Sequence, residues 1–130
     1  MKKIIGCLVK YNTPWFNGTI IAPGAFKDCD EKVVPICSSF DKKYDSEYIV
    51  GYVTLKCKSD GIYYEGFLND AEEANKIFKQ LFDNKDEYHV GLYAHHIEKN
   101  DNAVTDGRIV KVAFSPKTDE ASFIDEIIDE

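Results

Sequence analysis

The stretch YIVGYVTLKCKSDGIYYEGFLN, residues 48–69, constrains the fold more than any other part of the chain. Val53, Leu55 and Cys57 alternate with Thr54, Lys56 and Lys58, so one face of an extended segment is apolar and the other polar. Asp60-Gly61 supplies a tight turn, and Ile62 to Leu68 returns. A hairpin of this kind needs its apolar face covered, which predicts a mostly antiparallel sheet with a core on one side.

The other segments fit that frame. IIGCLVKY reads as a first strand, NTPWFNG as the turn after it, and GTIIAPGAF as a short apolar segment bent at Pro23-Gly24. KVVPICSSF reads as a buried strand, in which Pro35 marks an edge or an irregular start. In NDAEEANKIFKQLFDNKDE, the residues Ala74, Ile77, Phe78, Leu81 and Phe82 recur at helical spacing. Asn69 or Asp70 is placed to cap that helix, and Glu72 and Glu73 suit the positive end of its dipole. EYHVGLYAHHI follows as a strand, DNAVTDG as a polar turn, and RIVKVAFSP as the last strand, stopped by Pro116. Thr118 or Asp119 then opens a short terminal helix with Phe123, Ile124, Ile127 and Ile128 on its apolar side. The expected architecture is a single α+β domain over residues 1–130. It is built on a mostly antiparallel curled sheet or β-barrel, with one central amphipathic helix and a short C-terminal helix.

Charge and composition narrow the function. A formal net charge of -7, with acidic residues gathered toward the end, repels phosphate backbones and argues against a nucleic-acid partner. No apolar run approaches the roughly 20 residues that cross a bilayer, and polar residues interrupt MKKIIGCLVKYNTP too early for a secretory signal. The expectation is a cytoplasmic protein with no membrane partner. Cys7, Cys29, Cys37 and Cys57 form no C-x-x-C pair, so they read as reduced, half-buried apolar residues.

His89, His95 and His96 lie within eight residues, which raises the question of a metal site. On a strand His89 and His95 share a face but stand roughly 20 Å apart, and His96 points the other way. Zinc holds its ligands at about 2 Å, so no metal site follows and no cofactor is expected. None of the serines sits in a G-x-S-x-G turn. Cys37-Ser38-Ser39, at a strand end, is the remaining nucleophile cluster.

The order of the segments carries one further signal. IIGCLVKYNTPWFNGTIIAPGAF ends in Pro23-Gly24-Ala25-Phe26, VVPICSSFD precedes the hairpin, AEEANKIFKQL follows it, and HVGLY and GRIVKVAFSP come after. In this order the chain resembles the prohead (capsid maturation) proteases of tailed bacteriophages, distant relatives of the herpesvirus assemblins. The resemblance spans nearly the whole chain, with the P-G-A-F segment as its specific match. It implies a role in head assembly beside scaffold and capsid proteins, or self-association, inside the host cell or the prohead.

Carried over position by position, the resemblance implies a degenerate active site. The base falls on Phe40, followed by Asp41; the nucleophile falls on His89; the third member falls at Lys111 and Val112. A phenyl ring takes no proton, so the expectation is a protease-like protein without peptidase activity. A rival reading has Ser38, Ser39 or Cys37 attack with His89 as base and Asp41 or Glu65 orienting it. Another makes the chain an unrelated small binding module. The acidic tail from Asp119 to Glu130 is a candidate contact element, or packs on its own domain.

Overall fold

A computed structural model describes residues 2–15, 18–26, 28–38, 49–117 and 121–129. The strands of these residues form one sheet. They are β1 (Lys2–Lys10), β2 (Ile20–Ile21), β3 (Val33–Cys37), β4 (Ile49–Cys57), β5 (Gly61–Leu68), β6 (Tyr88–Asn100), β7 (Ala103–Pro116) and β8 (Phe123–Asp129). Helix α1 (Glu72–Asn84) joins β5 to β6 through a single 3-10 turn at Lys85–Glu87.

The expected hairpin is β4–β5, antiparallel from Gly51↔Leu68 to Cys57↔Ile62. The sheet grows from it in both directions. On one side β5 pairs with β1 and β1 with β8, both antiparallel. On the other, β4 pairs with β3, which runs parallel to β7 at Ile36↔Val112 and Cys37↔Ala113. Pro35 lies where β3 is paired with β4 but not yet with β7, which spares the ladder its missing N–H. The two-residue strand β2 lies parallel to the start of β7, and β6 folds back along β7 as an antiparallel hairpin.

The sheet curls into a half-barrel, with Ile4, Leu8, Val34, Ile36, Val53, Leu55 and Ile62 inside. Helix α1 presses Ala74, Phe78 and Leu81 onto that core, as its periodicity predicts, whereas Phe82 stays 58% exposed. The curl is held by Ser122, which is buried just before β8. Its hydroxyl lies 2.8 Å from the Val90 carbonyl of β6 and 3.2 Å from the Cys7 carbonyl of β1.

Four sequence expectations need correction. The terminal segment is strand β8, not a helix. Its apolar residues have helical spacing, but the open edge of β1 offers backbone partners that a helix would leave unpaired. The register skips Asp125, passing from Ile5↔Glu126 to Gly6↔Ile124. That bulge lets Ile124 and Ile127, three residues apart, both reach the core. At α1 the N-cap is Ala71 without a side-chain cap. Asn69 acts one step earlier, its Oδ1 accepting the Ala71 N–H at 2.9 Å.

The polar turn after β6 is also shorter than expected. It is Asp101–Asn102 alone, with Asn100 facing Ala103, so the hairpin arm runs well beyond the core. Finally, Cys29 and Cys57 form a disulfide, while Cys7 and Cys37 are buried thiols outside it. The pairing follows from β4, whose Leu55 and Cys57 bond to the turn before β3. The Glu31 N–H donates to the Leu55 carbonyl and the Cys57 N–H to Asp30 Oδ1.

Candidate functional site

Strand alternation sorts the candidate residues into two environments. Along β6, Tyr88, Val90, Leu92 and Ala94 pack inward, so His89, Gly91, Tyr93 and His95 occupy the outer face. Along β7, Val112 and Phe114 point into the core and Lys111, Ala113 and Ser115 outward. On β3, Val34 and Ile36 are core residues, which puts Cys37 on the outer face and Ser38 on the inner one.

The outer face therefore gathers Cys37, Ser115, His89 and Lys111 on three adjacent strands, β3, β7 and β6. His89 is the cross-strand partner of Ser115, and Cys37 is level with Ala113 and Gly91. Two strand spacings and two residues separate Cys37 from His89, about 12 Å between Cα atoms. Cys37 is 1% exposed, so its sulfur presents little surface to an incoming carbonyl. Lys111 is opposite Tyr93 and stands 4.8 Å above that ring. Its neighbour Val112 is fully buried.

Ser38 is in a different place. Its Oγ is buried without a hydrogen-bond partner among the described residues. It borders a cavity of about 170 Å³ under α1, walled by Ile77, Leu81, Tyr88 and Phe114. Ser115, the cross-strand partner of His89, lines the same cavity, but the Ser38 hydroxyl meets no hydrogen-bond partner, so Ser38 and His89 are not joined as a nucleophile–base pair among the described residues. Glu65, offered as the orienting carboxylate, belongs to β5, which does not pair with β6. It pairs with Lys3 at 2.8 Å, and that hydrogen bond pulls its carboxyl below the usual range. The rival constellation loses Ser38 and Glu65. Ser39, Phe40 and Asp41 lie outside the described residues.

His95 and His96 are far out on the β6–β7 arm, both exposed. His95 faces Arg108 across the hairpin and makes an edge contact with the Tyr93 ring. His96 has a φ of 56° and sits at an irregularity between His95↔Arg108 and Glu98↔Asp106. Among the described residues no three His, Cys, Asp or Glu side chains come together as a metal site. No helix among them is long and apolar enough to cross a membrane.

One residue pair escaped the sequence reading. His89 and Ser115 are 26 positions apart, and only the register of β6 on β7 makes them neighbours. The hairpin itself was legible, but a shift of one residue would have turned Ser115 to the other face. Comparison of the chain with protein-family models, curated proteins and solved structures found no match.

Proposed function

We propose that the chain is a protease-like protein of a phage or prophage that acts in head assembly by binding scaffold or capsid proteins, or itself, and does not hydrolyse peptides. The observation that carries this reading is the set of residues at the positions implied by the resemblance. Phe40 stands for the base, His89 for the nucleophile and Lys111 for the third member. Acyl transfer needs a hydroxyl or thiol, a base in hydrogen-bond reach and an orienting group. Phe40 accepts no proton, and an imidazole at the nucleophile's place has no base to activate it. The half-barrel with one helix between two hairpins is compatible with the layout that the resemblance implies. Among the described strands the outer half of β6, residues 94–100, pairs with β7 alone, an edge that suits a partner adding an extended strand.

A second reading, residual peptidase activity, has one observation in its favour: the Ser115–His89 cross-strand pair. Both readings are tested by exposing purified protein to a fluorophosphonate probe and to iodoacetamide, then mapping the labelled residues. The expected outcome is no labelling of Ser39, Ser115 or Cys37 that depends on His89. Selective labelling abolished by His89→Ala, with cleavage of a capsid or scaffold polypeptide, would overturn the proposal. Co-expression with a phage scaffold protein and a major capsid protein is expected to yield co-sedimenting complexes.

A further inference from the structure

The turn before β3 and the middle of β7 enclose a cavity of about 330 Å³, on whose rim Arg108 faces His95 across the β6–β7 hairpin. Its floor is apolar: Phe26 and Cys29 are buried on one side and Ile109 on the other. The floor depends on Gly107. A Cβ at that position would fall 2.7 Å from the Phe26 ring, so only glycine lets the ring seat against β7.

The rim is charged, and its charges are poorly balanced. Lys32 is half-buried and donates from Nζ to the Ile109 carbonyl at 2.7 Å, which fixes its ammonium on the wall and, among the described residues, leaves two N–H groups for a ligand. Arg108 borders the same cavity and takes part in no ion pair among the described residues. Burial, and then the positive charge of Arg108, pull the Lys32 pKa below the usual lysine range, while Asp28 opposes them. Two cations thus converge on one concavity in a chain of net charge -7. An apolar floor excludes water from one side, which strengthens the attraction for an anion placed between them.

Asp28, the carboxylate on the rim, adds selectivity. An ionised carboxylate only accepts hydrogen bonds. It repels a fully deprotonated anion such as sulfate but can accept the remaining proton of a hydrogen phosphate. We propose that this cavity binds a phosphate group between Lys32 and Arg108, with Asp28 accepting the phosphate's own proton. The guanidinium supplies a planar fork matched to two phosphate oxygens, and the ammonium a second charge.

The test is a titration with inorganic phosphate and, separately, sodium sulfate at matched ionic strength, followed by amide shifts in two-dimensional NMR spectra. Saturable shifts confined to Gly107, Arg108, Ile109 and Lys32 are expected with phosphate, and binding weaker by about tenfold or more with sulfate. Arg108→Gln should weaken phosphate binding by about tenfold or more, as the loss of a charge-assisted hydrogen bond reads. Because Arg108 is exposed, that variant keeps its fold even if Lys32→Gln does not. Asp28→Asn should bring sulfate up to phosphate. Phenyl phosphate, a monoester with a second pKa near or below about 6, has lost that proton at about pH 7.5 and should bind about tenfold or more weakly than the free ion; equally tight binding would overturn the role given to Asp28. Equal, non-saturating shifts with phosphate, sulfate and chloride, or an Arg108→Gln variant that binds as the wild type does, would sink the proposal.

Discussion

Two buried serines, Ser38 and Ser122, have opposite energetic roles. Ser122 is 3% exposed and its hydroxyl bridges toward two backbone carbonyls on different strands. Ser38 is 8% exposed and its Oγ meets no partner among the described residues. Removing a hydroxyl that donates its one proton to a buried carbonyl loses that hydrogen bond, whereas removing an orphaned one relieves a desolvation cost. Ser122→Ala should therefore lower stability by about 1–3 kcal/mol, and Ser38→Ala should leave it unchanged or raise it by up to about 1 kcal/mol. Urea denaturation of both variants measures this. A destabilised Ser38→Ala protein would reveal a partner for that hydroxyl. Cys7 shows the same force on a titrating group: burial pushes its thiol up to about 11, so it stays protonated at neutral pH.

At the scale of elements, the terminal segment is the most instructive. Its apolar positions were spaced for a helix, and as a helix Ile124 and Ile128, four residues apart, would share one buried face. As β8, with its bulge at Asp125, Ile124 is 4% exposed while Ile128 sits opposite Lys3, only partly covered. Ile124→Ala should cost about 2–4 kcal/mol, and Ile128→Ala less than about 1.5 kcal/mol. Equal losses in thermal or urea unfolding would favour a helix. The central helix and the β4–β5 hairpin were legible because their patterns are strong and local. β8 was not, because local spacing cannot report an unfilled strand edge at the other end of the chain.

For the whole molecule, the curl has two ties that reach across the chain. Ser122 joins the two ends of the sheet, and the disulfide joins the turn before β3 to the end of β4 across 28 positions. Closing a loop of that length restricts the unfolded chain, an effect of roughly 3–4 kcal/mol in the loop-entropy account. The denatured, unreduced protein should take up two iodoacetamide groups, on Cys7 and Cys37, and four after reduction. Mass spectrometry reads the difference directly. Four adducts without reductant would mean that the disulfide is absent from the protein as purified.

Sequence by itself determined what depends on neighbours in the chain: the hairpin around Asp60-Gly61, the apolar stripe of α1 and the bend at Pro23-Gly24. Tertiary structure alone decided which distant residues meet. His89 beside Ser115, Lys32 beside Arg108 and Cys29 against Cys57 all depend on strand register. Register is set by the summed burial of whole strands and by bulges that each displace a strand by one residue. A single residue's displacement exchanges the faces, so no short stretch of sequence contains that information.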